Sequence, residues 1–83
     1  MVRIHEEGAF RVYVYAPPRE HLPPHVHVEC TRCGDVLVRI GDNETAPSLW
    51  QNHHMSAADA REALRIVEVH QLQFLAEWRK LHG

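Results

Sequence analysis

Apolar and polar residues alternate along much of the first half of the chain, as in a strand with one buried face. The clearest run is 10–15, in which one phenylalanine and two valines share one face. An arginine and two tyrosines share the other face of that run. Weaker alternation occurs in three more segments. Together these patterns predict about four antiparallel strands, in 2–4, 10–15, 25–30 and 35–40.

The segments between the predicted strands are rich in turn and loop residues. Residues 31–34 have the length of a hairpin loop, and Gly34 can take the positive φ that such a loop needs. Residues 16–24 contain four of the five prolines. Because proline lacks the amide donor of a strand ladder, we expect an extended connection there. Residues 41–51 show no periodicity and are predicted to be irregular.

The last third of the chain has apolar residues at the spacing of a helix. Ser56 followed by Asp59 predicts the N-terminal cap, and Gly83 ends the helical region. This region is about 26 residues long, or roughly 39 Å, which is large for so small a domain. We therefore expect it either to kink near His70 or to overhang the sheet. Six residues form the predicted buried stripe: Leu64, Val67, Phe74, Leu75, Trp78 and Leu81.

Three apolar residues, Ile66, Val69 and Leu72, lie off this stripe, and we expect them at the sheet margins or against a second subunit. With 83 residues, the chain is expected to form a single domain, 1–83. The predicted architecture is α+β: a small antiparallel sheet of about four strands, packed on one face by a long C-terminal helix.

Charge and composition narrow the classes of function. Nine Lys and Arg residues stand against eleven Asp and Glu, which disfavours broad, charge-driven nucleic-acid binding. No run of about 20 apolar residues is present to span a membrane. The first ten residues contain acids and no apolar run, unlike a signal peptide. We therefore expect a cytoplasmic protein whose two cysteines are reduced.

Histidines on the third predicted strand suggest a first candidate site. If its valines face the helix, then His25 and His27 point to the open face of the sheet. Arg11 and Tyr13 share that face from the neighbouring strand. Two histidines and an arginine are the groups that metal-independent cleavage of a phosphodiester requires, as acid, base and phosphate ligand. The alternative is a solvated polar face without chemistry.

The two cysteines suggest a second candidate site. Cys30 and Cys33 are separated by two residues, a familiar spacing of zinc ligands, and His53 and His54 would complete a tetrahedral site. The strand histidines point to the other side from Cys30, so one ion would not join both sets. A thiol redox role is disfavoured because such pairs usually begin a helix. We expect His70 to be packed or solvated. Both tryptophans are expected in the core.

Several segments together resemble a known family. They are "EHLPPHVHV" at 20–28, the aromatic strand at 8–15, "LWQNHHMSAADARE" at 49–62, and the closing Trp78 and Gly83. This pattern resembles the bacterial domain of unknown function family 4160, and its Pro-Pro-His-Val-His-Val core is the most specific part. The resemblance places the signature histidines at His25 and His27. The family hairpin lacks the two cysteines, so zinc binding by them would be particular to this chain.

The resemblance also bears on function. Members of that family are often encoded beside another small protein, an arrangement similar to toxin–antitoxin modules. It implies a toxin–antitoxin-like component that acts through an operon-encoded partner protein, and no enzymatic reaction follows from it. One alternative is a toxin that cleaves RNA with His25 and His27. Another is a zinc-stabilised binding module. A second copy of the chain is a further candidate partner.

Overall fold

Five strands and two helices make up residues 2–15, 23–42 and 44–82, which the computed structural model describes. The strands form one antiparallel sheet, and their order in the sheet is their order in the chain. This confirms the predicted α+β class, with five strands instead of about four. The elements are β1 Val2–Glu7, β2 Phe10–Val14, β3 His25–Cys30, β4 Gly34–Arg39, β5 Ser48–His53, α1 Ala57–Val69 and α2 Gln71–His82.

Strand β5 is the main correction to the predicted fold. Residues 41–51 were expected to be irregular, yet Ser48–His53 pairs with β4 at the edge of the sheet. Its side chains are mostly exposed, so its sequence shows no alternation of apolar and polar residues. A single extra residue, Trp50, interrupts the pairing and further obscures the period of two.

The predicted alternation correctly identifies the buried face of the sheet. Six valines from β2, β3 and β4 are fully buried there: Val12, Val14, Val26, Val28, Val36 and Val38. The helices cover them with a second set of buried side chains: Ala60, Ala63, Ile66, Val67, Phe74, Leu75 and Trp78. The other face of the sheet is left without a covering layer among the described residues, and His27 lies on that side. His25, at the start of β3, instead packs against Trp78 of α2.

The helical region kinks at His70, one of the two alternatives that its length allowed. The φ and ψ of His70 are −109° and 21°, which ends α1, and α2 begins at the next residue. Its amide donates to the carbonyl oxygen of Ile66, and its own carbonyl accepts from Phe74. The Gln71 Nε2 then lies 2.9 Å from each of three carbonyl oxygens, those of Ile40, Asp42 and Thr45, which share its two hydrogens. These bonds tie the kink to the loop after β4.

The buried helical residues differ in part from the predicted stripe. Ile66 was predicted to lie off the apolar stripe but is fully buried. The predicted stripe is therefore incomplete, because within α1 the buried residues are Ala60, Ala63, Ile66 and Val67. Val69 and Leu72 do lie off the packed face and are 63% and 67% exposed. Leu81, predicted in the stripe, is 36% exposed.

The helix cap is as predicted. The Ser56 hydroxyl accepts from the amide of Asp59 at 3.1 Å and lies 3.0 Å from its carboxylate. Neither described helix has the length and apolar character needed to cross a bilayer. The predicted extended connection falls largely on 16–22, and the predicted helix end falls on Gly83. Both lie outside the described residues.

Candidate functional site

The open face of the sheet carries the four residues first predicted to be catalytic. Tyr13 pairs with His27 across β2 and β3, and Arg11 pairs with Glu29. His25 begins β3 and is 8% exposed, whereas His27 is half-buried. By strand parity the four residues share a face, but they are spread along two strands, and the His25 ring is buried at the start of β3.

Four rings form a continuous row across this face, which we call the aromatic row: Tyr15, His27, His25 and Trp50. The ring of His27 lies with its centroid 4.0 Å from that of Tyr15 and 5.5 Å from that of His25. The ring of His25 lies edge-on to Trp50 at 5.1 Å. The guanidinium of Arg39 lies over Trp50, 4.8 Å from the ring centroid, within cation–π distance.

His25 joins the aromatic row to the helices. Its ring centroid is 4.8 Å from that of Trp78 on α2, which is 6% exposed. Its Nδ1 lies 3.0 Å from the carbonyl oxygen of Pro23. Because a carbonyl can only accept, Nδ1 carries the proton in this bond. His25 is thus a packed residue with a fixed ring.

Trp50 reaches the row because of a β-bulge. Leu37 pairs with Gln51 and Val38 with Leu49, so Trp50 is an extra residue in β5. In a regular strand Trp50 would point to the opposite side from Gln51, and we expected Trp50 in the core. The structure places it half-buried beside Arg39. Trp78, by contrast, is in the core as expected.

The environment of His27 keeps its imidazole neutral near pH 7. Burial, followed by the neighbouring His25, lowers the pKa of His27 from 6.5 to about 4. A neutral imidazole can accept a proton or a hydrogen bond. To act as a general acid, it would first have to be protonated to imidazolium. At neutral pH this residue does not fit the role of acid, and a pKa so far below 7 makes it a weak base.

The lowered pKa of His27 predicts a loss of stability in mild acid. Because the unfolded chain binds this proton near pH 6.5 and the folded chain only near pH 4, stability falls as pH drops between these values. Between about pH 7.5 and pH 5, wild type should lose roughly 1 kcal/mol more than His27→Gln, after allowance for solvent screening. Urea denaturation at both pH values measures this difference.

The matched control for that experiment is His54→Asn. His54 is exposed and has a φ of 71°, a conformation that asparagine tolerates. We expect this variant to follow the wild-type pH profile. Equal pH dependence in wild type and His27→Gln would contradict the lowered pKa.

Arg11 is occupied by other groups. Its Nη2 lies 3.9 Å from the Glu29 carboxylate, and its Nη1 donates to the Thr31 hydroxyl at 2.8 Å. Its pairing partner Glu29 lies two residues from His27 and four from His25 along β3. The arginine therefore lies towards the hairpin end of the face, with its charge partly compensated, and not beside the histidine pair.

The predicted zinc ligands lie around the β3–β4 hairpin. Cys30 and Cys33 are joined by a disulfide, which differs from the free thiols we expected. As zinc ligands they would have to be reduced and deprotonated first. His53, at the end of β5, lies 3.6 Å from the Asp35 carboxylate, and exposed His54 follows it. Zinc binding by these four residues stays a prediction.

A different set of ligand-type side chains converges within the described residues. His5, Glu7 and His70 have ligand atoms within 4.8 Å of one another. This group lies on the helix-covered side and was missed in the sequence. The alternation of His5 and Glu7 was visible, but their meeting with His70 depends on the kink between α1 and α2.

A cavity of about 540 Å³ adjoins the aromatic row at the end of α2. Its lining includes Arg39, Trp78 and Arg79 together with one acid, Asp42. The two arginines make it a suitable place for a carboxylate. Its volume would accommodate a few side chains of another molecule.

Comparison with known proteins identifies a family model that covers most of the chain. The profile of a protein family described as Domain of unknown function (DUF4160) matches residues 9–79. No curated protein and no solved structure matches the chain.

Proposed function

This chain belongs to the DUF4160 family of domains of unknown function, and we propose that it acts by binding a partner protein through the open face of its sheet. In this proposal it is one component of a toxin–antitoxin-like pair, and the partner is the small protein encoded beside it. The observation that carries the proposal is the aromatic row, with Arg39 against Trp50.

The composition of the aromatic row supports protein binding. Tryptophan, tyrosine and arginine are the residues most enriched among those that dominate binding energy at protein interfaces. Here the rings are held by contacts with one another, and Trp50 is held by Arg39. Side chains that are already ordered lose little conformational entropy when a partner binds.

The charges around the row indicate what the partner should carry. Several arginines elsewhere are paired with acids: Arg3 with Glu6, Arg11 with Glu29 and Arg65 with Glu7. This mixed pattern favours a protein partner over RNA, whose phosphates need an excess of basic groups. The cavity beside Arg39 and Arg79 fits an acidic side chain. We therefore propose a partner that places an aromatic or apolar patch on the row and a carboxylate in the cavity.

The proposal predicts that Trp50 and Arg39 dominate the affinity. Trp50→Ala should weaken binding of the co-expressed neighbour by about 30-fold or more, since such residues contribute 2 kcal/mol or more. Arg39→Gln should weaken binding by about 10-fold, because it removes a positive charge that would meet the carboxylate of the partner. Arg39 is exposed, so the fold should not depend on this charge. Isothermal titration calorimetry with the purified neighbour measures both values, and circular dichroism checks that each variant is folded.

The matched controls lie on the helices. Arg61→Gln removes an exposed arginine and Leu72→Ala an exposed apolar side chain, and each should change affinity by less than about twofold. Unchanged affinity in the Trp50 and Arg39 variants would overturn the role of this face. Failure of the neighbour to bind wild type at all would overturn the proposal itself.

RNA cleavage is the second candidate function. Its support is the neutral His27 beside His25, with 5.5 Å between ring centroids. The engagement of Arg11 with Glu29 weakens it. If the protein cleaves RNA, His25→Ala and His27→Ala should each abolish cleavage and toxicity. Because His25 packs against Trp78, circular dichroism must show that each variant is folded. Equal cleavage by both variants and wild type would exclude these histidines as the catalytic pair.

A further inference from the structure

Strand β1 and the helix kink bring two histidines and a glutamate together. The Nε2 of His5 lies 3.3 Å from Oε1 of Glu7, and the Nε2 of His70 lies 3.9 Å from the same oxygen. The two imidazole centroids are 4.2 Å apart. This cluster lies on the helix-covered side of the sheet, away from the aromatic row.

We propose that His5, Glu7 and His70 bind a divalent transition-metal ion, with zinc as the principal candidate. Zinc bonds to nitrogen and oxygen are about 2.0–2.1 Å long, so ligand atoms of a tetrahedral site are about 3.3 Å apart. Two of the measured separations, 3.3 and 3.9 Å, are close to this value. Small side-chain rotations would be sufficient to complete the three-ligand set.

The backbone explains why these side chains meet. A bulge at Ile4 shifts the pairing of β1, so that Arg3 pairs with Tyr13 but His5 pairs with the inward-facing Val12. Glu7, two residues on, follows His5 to the same side. The break at His70 then directs its ring towards that edge, where it stacks on Phe74 with centroids 5.5 Å apart.

The carboxylate of Glu7 is already oriented by a second residue. Arg65 bonds its Oε2 and also bonds Glu62, which leaves Oε1 directed at the two histidines. Metal ligands are commonly supported in this way by groups behind them.

The surroundings of the cluster fit a partly sheltered ion. The side chains of His5, His70 and Glu7 are 20%, 27% and 40% exposed. Phe74 is fully buried and contacts both imidazoles, with centroids 5.6 Å from His5 and 5.5 Å from His70. An ion here would have an apolar wall on one side and water on the other. Three protein ligands and one water would give it four-coordinate geometry.

The ligand types define which ions should bind. Imidazole nitrogens suit zinc, nickel and copper, whereas magnesium and calcium prefer oxygen ligands. Because His5 and Glu7 belong to the edge strand and His70 to the kink, a bound ion would fasten β1 to the helices. We therefore expect binding to raise stability.

The test is zinc titration of untagged, metal-stripped protein. At free zinc about a hundred times Kd, the melting temperature of wild type should rise by about 10 °C or more. His5→Gln and His70→Gln should each weaken zinc binding at least about 10-fold, because each removes one of three ligands. Magnesium at the same concentration should have no effect. NMR should show the His5 and His70 ring protons shifting with zinc.

Two controls distinguish this site from the hairpin. The double variants Cys30→Ser/Cys33→Ser and His53→Gln/His54→Asn together remove the other predicted ligands, and each should leave zinc affinity within about twofold of wild type. Loss of zinc binding in these variants, with binding retained in His5→Gln and His70→Gln, would overturn the proposal. So would the absence of any zinc-dependent stabilisation of folded wild-type protein.

Discussion

Replacing Gly34 with alanine should lower the free energy of unfolding by about 3 kcal/mol or more. Gly34 has a φ of +97°, a conformation that L side chains rarely adopt. A Cβ there would lie 2.5 Å from the carbonyl oxygen of His53 and 2.9 Å from backbone atoms of His54 and Met55. Because these neighbours are backbone atoms, the end of β5 would have to move. Urea denaturation followed by tryptophan fluorescence measures the loss.

Gly8→Ala is the matched control for this experiment. Gly8 also has a positive φ, +59°, but a Cβ there would have nothing within 4 Å. The free energy of unfolding should therefore fall by only about 1 kcal/mol, the cost of a positive φ at a residue with a Cβ. The difference between the two variants therefore isolates the close approach of β4 to the segment after β5. If both variants lose the same free energy of unfolding, then the backbone around Gly34 moves to accept the Cβ at no further loss of stability.

Replacing Phe74 with alanine should have an effect of similar size. Phe74 is the largest of the fully buried side chains and lies at the start of α2. Its removal should cost about 3–5 kcal/mol, from lost apolar burial and from the cavity left behind. Since Phe74 also contacts His5 and His70, Phe74→Leu, which keeps most of the volume, should retain both the fold and zinc binding. The same urea assay at neutral pH applies.

Leu72→Ala controls for the change of helix composition. Leu72 lies two residues earlier on α2 and is 67% exposed, so its replacement should change stability by less than about 0.5 kcal/mol. A loss in Leu72→Ala comparable to that in Phe74→Ala would mean that the outer face of α2 is covered in solution.

Alternation along the strands was sufficient to predict most of the fold. It identified β2, β3 and β4 and the face that packs on the helices, because one buried face repeats every second residue. It could not predict β5, whose side chains are mostly exposed. Nor did the predicted helical stripe include Ile66, which is buried in α1 beside Ala63 and Val67.

The candidate sites also have a part that the sequence predicts and a part that it does not. The shared face of His25, His27, Arg11 and Tyr13 follows from strand parity alone. The place of Trp50 does not, because a bulge moves it, and neither does the group of His5, Glu7 and His70. That group needs a bulge in β1 and a break in the helix, and both arise from packing between elements distant in sequence.

The two bulges have a consequence for how the sheet meets other chains. In the described residues the sheet ends at β1 and β5, and each of these edge strands contains one of the bulges. A regular edge strand is a template on which further strands can add, which leads to aggregation. A bulge twists the edge and disrupts its row of free hydrogen-bonding groups. The bulges at Ile4 and Trp50 therefore lie on the two edges where addition of a further strand would otherwise be most favourable, and each makes that addition less favourable.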